Sequence, residues 1–143
     1  MLGTITVVLV VVLAALIVFF IRTRRQDQIS ALLEKRRAQS KVVSKAEYAN
    51  GIERMPVALA LGDKAVFYEN PDLEASLDID RIEEIEYDDE LTTGKNIEAG
   101  SRVIRMRAHG TPFEFIVSAA DATRWQQALP PRQAGGGRTA HVG

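Results

Sequence analysis

The chain has 143 residues, no cysteine, and 18 basic against 19 acidic residues, which gives a formal net charge of −1. Once the apolar segment at its start is set aside, too little chain remains for two ordinary domains, so one small domain plus a linker is expected. The absence of cysteine agrees with a reducing compartment.

Residues 1–21, MLGTITVVLVVVLAALIVFFI, carry no charge and predict a single transmembrane helix. A hydrocarbon core of about 30 Å needs roughly 20 apolar helical residues, which residues 2–21 supply. The alternative is a cleaved signal peptide. No basic residue precedes the apolar run, the run is too long for the core of a signal peptide, and no A-x-A site follows it. We therefore expect an uncleaved anchor.

Three basic residues, Arg22, Arg24 and Arg25, flank the C-terminal end of this segment, and none precedes it. The positive-inside rule then places the N-terminus outside and residues 22–143 in the cytoplasm. The first partner predicted is therefore the lipid bilayer.

Charge divides the rest of the chain into two parts. Residues 22–45 hold eight basic and two acidic residues, whereas residues 46–143 hold ten basic and seventeen acidic ones. A basic neck therefore joins the membrane to an acidic head. No nucleic-acid partner is predicted.

The neck, residues 22–50, is predicted to be helical, because it contains neither proline nor glycine. An apolar stripe along it, interrupted at Arg36, consists of Ile29, Leu32, Leu33, Val42, Val43 and Ala46. One interpretation is a solvated helix that continues the anchor. The other is a basic surface that is attracted to anionic lipid.

After residue 51 the apolar pattern changes to the alternation of β-strands. In the strand at 82–89, Ile85 and Tyr87 are expected to face the core while Glu84, Glu86 and Asp88 face outward. Residues 90–101 are predicted to be a loop. The six predicted strands are 57–61, 65–69, 75–79, 82–89, 102–108 and 112–118, and they favour an antiparallel sheet or barrel.

A short helix follows the last strand. Ser118 is a good N-cap with Asp121 three residues later, and the prolines at 130 and 131 end the helix. One face carries Ala122, Trp125 and Leu129. We predict that this helix presses Trp125 into the open end of the barrel, where an indole buries about 200 Å². The tail, residues 131–143, is predicted to be disordered.

The segments LALGDKAVFYEN, SLDIDRIEEIEYDD and RVIRMRAHGTPFEFIVSAADATRWQQAL resemble the pleckstrin-homology superfold, especially its bacterial and GRAM-like branches. The resemblance covers roughly residues 55–130, and the domain is predicted at 51–130. It implies a small, mainly-β, PH-like antiparallel barrel capped by one C-terminal helix. The superfold usually has seven strands, so a seventh is expected within 51–56 or in the 90–100 loop.

No catalytic, cofactor or metal site is predicted. The sequence GKN at 94–96 lacks the earlier glycine of a phosphate-binding loop, and isoleucines interrupt the acidic run DIDRIEEIEYDDE where a calcium loop needs oxygen ligands. His109 and His141 have no second ligand at metal-binding spacing. Neither Ser101 nor Ser118 has a base beside it, so the chain is not expected to be an enzyme.

The only basic cluster of the head is Arg102, Arg105 and Arg107. One interpretation pairs these residues with the acidic strand, and the other makes them contacts for an anionic ligand. The phosphoinositide-binding members of the superfold carry several basic residues around their first hairpin, whereas this hairpin has only Lys64. We therefore expect a scaffold or accessory protein whose head binds a protein partner. The alternative is a reader of anionic lipid headgroups.

Overall fold

The computed structural model describes residues 2–51 and 53–133. Its elements, in chain order, are α1 (Leu2–Arg37), β1 (Val42–Asn50), β2 (Glu53–Leu61), β3 (Ala65–Asn70), β4 (Leu73–Asp78), a 3₁₀ helix (Ile79–Arg81), β5 (Ile82–Asp88), β6 (Ser101–Ala108), β7 (Thr111–Ser118) and α2 (Ala119–Ala128). The part of the predicted tail at 134–143, which includes His141, lies outside the described residues.

Helix α1 is unbroken over 36 residues, a length of about 54 Å. Its N-terminal part is exposed along its whole length, and the helix is long and apolar enough to cross a membrane. The helix continues beyond the apolar run as far as Arg37, so the expected continuation of the anchor into the neck is confirmed to that residue.

The prediction of helix is wrong for the second half of the neck, where Val42–Asn50 forms β1. The spacing that suggested a helix is the four-residue step from Val42 to Ala46, and an even step also returns to the same face of a strand. Both residues are buried in the inner core, while Val43 packs on the opposite face. This strand is the seventh one, and it lies outside both segments where it was expected.

The seven strands form one antiparallel sheet in the order β4-β3-β2-β1-β7-β6-β5. The predicted antiparallel barrel is therefore corrected to an antiparallel sheet that is not closed, with β4 and β5 at its edges. These two strands are consecutive in the chain, but the 3₁₀ helix between them takes the place of a hairpin turn. The other six predicted strands are present as β2 to β7, with ends shifted by up to four residues.

The inner face of the sheet buries the main core. Residues from both edge strands, Leu77 and Ile85, belong to the same cluster as Phe115 and Trp125, so the sheet curves around a single interior. Helix α2 packs on β1, β6 and β7 and covers one end of that interior. The expected cover by the terminal helix is confirmed.

The outer face of the sheet is covered in two places. The end of α1 lies on β1–β3, where Ile29 and Leu33 pack against Val43, Ala58 and Ala60. The loop at 89–100 lies over β6 and β7, with Leu91 buried against Val103 and Ile116. The neck is therefore a part of the folded head and not a free spacer.

The chain stays ordered for a few residues beyond α2. The backbone N–H of Ile85 donates to the Arg132 carbonyl at 2.7 Å, and the Arg132 N–H donates back to the Ile85 carbonyl at 3.0 Å. The predicted disorder is thus wrong at residues 131–133, because the chain there pairs with the edge strand β5.

Candidate functional site

Trp125 fills the covered end of the core. Its side chain is fully buried, and its indole N–H donates to the Ser44 hydroxyl on β1 at 2.9 Å. The Ser118 hydroxyl accepts the backbone N–H of Asp121 at 3.1 Å, which confirms the predicted N-cap. The Asp121 carboxylate pairs with Arg124 in the next turn, so the reciprocal half of a capping box does not form. The role of these residues is structural.

The C-terminal end of α2 is tied to β5. The Tyr87 hydroxyl donates to the Leu129 carbonyl at 2.6 Å, and burial raises the pKa of that phenol. Leu129 itself is buried, as predicted. The Arg132 guanidinium donates to the Ile82 carbonyl at 2.9 Å. These contacts hold the terminal segment against the edge of the sheet.

Arg105 is the centre of an ionic network on the outer face of β5, β6 and β7. Its guanidinium lies 2.7 Å from a Glu86 oxygen, 3.2 Å from Asp88 and 3.1 Å from Glu114. It also donates to the Glu90 carbonyl at 2.9 Å. The Arg105 and Glu114 side chains are only 10% and 9% exposed, so this pair is withdrawn from solvent, whereas the Glu86 and Asp88 side chains are each 42% exposed.

The two flanking arginines also face carboxylates. Arg102 lies 3.4 Å from Asp89 and donates to the Tyr87 carbonyl, and Arg107 lies 3.5 Å from Glu84. These are the pairs that the first interpretation of the cluster predicted. A role in binding an anionic ligand stays a prediction, and it would require these ion pairs to open.

The carboxylates of β5 titrate unequally. A hydrogen bond shared with Glu86 raises the pKa of Glu84, and that bond, together with Arg105, lowers the pKa of Glu86. The backbone N–H of Asp89, followed by Arg105, lowers the pKa of Asp88. For Arg105, hydrogen bonds to its carboxylate partners outweigh burial and raise its pKa. The shifts of Glu86, Asp88 and Arg105 all favour the charged forms of these three side chains.

The end of the core opposite α2 is aromatic. The ring centroids of Tyr48 and Phe115 are 5.4 Å apart, and Tyr68 lies 5.2 Å from both of these rings. Burial raises the pKa of both tyrosines, so their hydroxyls are protonated at neutral pH. The three rings belong to the main core or pack against it.

Arg36 fastens α1 to the sheet. Its guanidinium forms an ion pair with the buried Glu69 on β3 and lies 4.1 Å from the centroid of the Phe67 ring. In the sequence this residue interrupts an apolar stripe. A charged residue within such a stripe is a signal for a specific partner, but the position of that partner 33 residues away cannot be read from the spacing.

Two grooves flank α1 where it leaves the apolar segment. The larger, of about 430 Å³, has Ile29, Val57 and Ile116 in its floor and Glu47 and Glu98 at its margin. The smaller, of about 290 Å³, lies between α1 and the turn that joins β3 to β4, and we call it the juxtamembrane groove. It is lined by Arg25, Ile29, Met55, Pro56, Asn70, Pro71, Asp72 and Leu73.

The predicted membrane-flanking residues, Arg22, Arg24 and Arg25, are exposed on α1 directly after its apolar part. Their directions differ, because successive residues of a helix are about 100° apart. Arg25 lines the juxtamembrane groove, whereas Arg24 lies about 140° around the helix from Ile29, which faces the sheet.

Within residues 2–51 and 53–133, no three His, Cys, Asp or Glu side chains are arranged to hold a metal ion. Comparison of the chain with protein-family models, curated proteins and solved structures found no match. The geometry of the chain itself is thus the basis for any statement about its function.

Proposed function

We propose that this protein is a single-pass membrane protein whose cytoplasmic, PH-like head is displayed at the bilayer surface as a docking module for a protein partner. It acts as a scaffold or accessory subunit and carries out no catalysis. The observation that carries this proposal is the continuity of α1, which runs from the apolar segment to its packing against β1–β3 without a break.

Rigid display follows from that continuity. Ile29, the first buried residue of α1, comes eight residues after Ile21, a rise of about 12 Å. A flexible neck would let the tethered head move and rotate relative to the membrane. A neck that packs on the sheet fixes both the height and the orientation of the head, which suits a subunit that positions a partner.

A PH-like assignment is supported by the order of the elements. Seven antiparallel strands precede one helix, and that helix inserts a buried tryptophan into the interior of a curved sheet. The superfold hosts many unrelated roles, so the assignment by itself gives no function.

An acidic strip along β4 and the following 3₁₀ helix is the surface that best suits a protein partner. Its carboxylates are exposed: Glu74 and Asp78 lie on β4 and Asp80 on the 3₁₀ helix, and Glu83 extends the strip onto the start of β5. Asp78 also pairs with Arg81 at 3.6 Å. The strip borders an edge strand, whose outward backbone groups can accept an additional strand. A basic segment would find complementary charge there.

Site-specific photo-crosslinking in native membranes tests this surface. A photoreactive residue at Ser76, exposed on β4, should give a discrete protein adduct, and Asp78→Lys with Asp80→Lys should abolish it. The matched control is the same residue at Thr123, which is exposed on α2. Equal adducts at both positions, or an adduct that survives the charge reversal, would contradict the assignment.

Orientation is tested separately with a reporter fused after Gly143. The arginines at 22, 24 and 25 predict activity only in the cytoplasm. Digestion of the head by a protease added to intact cells would reverse the topology and remove the argument for a cytoplasmic partner.

The alternative, a reader of anionic headgroups through Arg102, Arg105 and Arg107, has less support. Arg105 is saturated by carboxylates, and its two neighbours each face one. Removing a buried arginine from such partners costs several kcal/mol, so an anionic lipid would need to compensate for it.

A further inference from the structure

We propose that the juxtamembrane groove binds the headgroup of a zwitterionic phospholipid, with its phosphate at Arg25 and its ammonium group at Asp72. This inference rests on the proposed function, since it requires α1 to span a bilayer. The site is distinct from the arginine cluster of β6, and the ligand carries both charges instead of a net negative one.

The juxtamembrane groove lies at the expected height of the lipid headgroups. Arg25 lies four residues after Ile21, a rise of about 6 Å. The headgroup region adds about 5–8 Å on each side of the hydrocarbon core. Helical side chains also lean towards the N-terminus, which for α1 is towards the membrane. The groove therefore opens within the headgroup layer.

The direction of the strands supports the same height. The turn at residues 38–41 reverses the chain, so β1 runs back along α1: Val43 packs at the level of Leu33, and Glu47 lines a groove together with Gln26. Strands β1 and β3 both run antiparallel to β2. The β3–β4 turn thus lies at the end of the sheet that faces the bilayer.

The charges that line the groove also suit a zwitterionic ligand. Arg25 and Asp72 line the same groove, yet they form no ion pair with each other or with any other described residue. Two opposite charges that face one groove without meeting suit a ligand that carries both charges. A phosphate accepts hydrogen bonds from a guanidinium, and a primary ammonium donates them to a carboxylate.

The apolar lining fits the remainder of a phospholipid. Met55, Pro71 and Leu73 line the groove together with the two charged side chains, and Ile29 lines it on the side of α1. Its volume of about 290 Å³ is near the lower limit of ordinary small-ligand pockets. A headgroup is of that order, whereas a folded protein segment would need a larger surface.

The test uses the full chain in liposomes that contain a photoreactive phosphatidylethanolamine. Its diazirine is at the top of one acyl chain, so the phosphate and ammonium groups are unchanged. Peptide mapping should place adducts at the β3–β4 turn. Competition by unlabelled phosphatidylethanolamine should exceed competition by phosphatidylglycerol, which has a phosphate but no ammonium group.

Variants separate the two charges. Arg25→Gln and Asp72→Asn should each lower the adduct yield about tenfold, the effect of losing one charge-assisted hydrogen bond. The matched controls are Arg24→Gln on the other side of α1 and Asp63→Asn in the β2–β3 turn, and both should leave the yield unchanged. In Asp72→Asn the preference for phosphatidylethanolamine over phosphatidylglycerol should disappear.

Two results would overturn the inference. The first is adducts that map away from the β3–β4 turn. The second is equal competition by the two lipids, together with an Asp72→Asn adduct yield equal to that of the unmodified chain. Both leave the anchor intact, as alkaline carbonate extraction checks. If carbonate releases the chain from the vesicles, then α1 does not span the bilayer, and the proposed function and this inference fail together.

Discussion

At the residue scale, polar side chains make the contacts that fix where each element packs. The indole N–H of Trp125 reaches Ser44 on β1, 81 residues earlier, and the Tyr87 hydroxyl reaches the end of α2. Arg105 joins three strands through Glu86, on β5, and Glu114, on β7. Buried polar groups that are fully paired in this way favour one packing arrangement over others.

Replacement of Trp125 by alanine should strongly destabilise the head. The side chain is fully buried, and removal of a buried tryptophan costs about 3–5 kcal/mol. Small domains have only about 5–15 kcal/mol in total. Thermal unfolding of the full chain in micelles, followed by circular dichroism, measures the loss. Trp125→Phe, which keeps most of the apolar volume, should lose much less. An unchanged melting temperature for Trp125→Ala would contradict the capping role of α2.

Acid should weaken the Arg105 network before it unfolds the rest of the head. The pKa values of Glu86 and Asp88 are lowered from 4.5 and 3.8, so their ion pairs contribute fully above those values and are lost as the pH falls through the lower folded pKa values. The raised pKa of Glu84 acts in the opposite direction. We expect the melting temperature to decrease as the pH is lowered below about 4.5.

Arg105→Gln provides the comparison for that titration. The variant should be less stable at pH 7, because it leaves the buried Glu114 without its ion-pair partner, and its melting temperature should depend less on pH below 4.5. Arg107→Gln, at a partly exposed pair, is the control and should cost less than about 1 kcal/mol. Parallel pH curves for Arg105→Gln and the unmodified chain would exclude the network as the titrating group.

At the element scale, the joint between α1 and the sheet is the central feature. Ile29 and Leu33 give α1 an apolar contact with the sheet. The Arg36–Glu69 pair, together with the Phe67 ring, fixes the orientation of α1 on the sheet. The strand that follows, β1, is the central strand between β2 and β7. The end of α1 and the strand that follows it are therefore expected to be required for the fold of the whole head.

This arrangement predicts where a soluble fragment must begin. A fragment of residues 26–133 keeps both the α1 contact and β1, and it should unfold cooperatively. A fragment of residues 46–133 loses the first four residues of β1, including the Ser44 partner of Trp125, and should be unfolded or aggregated. Tryptophan emission and thermal melting distinguish them. Equal stability of both fragments would show that the α1 joint and the start of β1 are dispensable.

For the molecule as a whole, a membrane-spanning α1, as proposed, would set the height of the head by geometry and not by charge. The basic residues Lys35, Arg37 and Lys41 come at least 14 residues after Ile21. Lys35 is thus about 21 Å beyond the apolar segment along α1. Surface charges are screened within about 10 Å at 0.1 M salt, so these residues should have little attraction to anionic lipid.

Energy transfer between a dye at Asp63→Cys and dyes in the lipid surface measures that height, and the absence of native cysteine makes the labelling specific. The transfer should not change when anionic lipid is added, when salt is raised, or when Lys35, Arg37 and Lys41 are replaced by glutamine. A head that approaches the membrane as anionic lipid increases would revive the interpretation of the neck as a basic membrane-binding surface.

Elements whose signals are local could be predicted from the sequence. The charge-free run gives a long apolar helix, the alternation over residues 85–88 of β5 shows that Ile85 and Tyr87 face inward, and the Ser118 cap with the following prolines bounds α2. In each case the pattern repeats over neighbouring residues. Spacing alone is therefore sufficient.

Three features could not be predicted from local patterns: where the neck changes from helix to strand, that the sheet stays open, and which carboxylates pair with each arginine. The step from Val42 to Ala46 fits both a helix and a strand, so packing between β2 and β7 selects the strand. Arg36 meets Glu69 across 33 residues, and Arg132 pairs with Ile85 across 47 residues. Such contacts depend on the path that the chain takes between the two residues. The spacing of neighbouring residues in the sequence contains no information about that path.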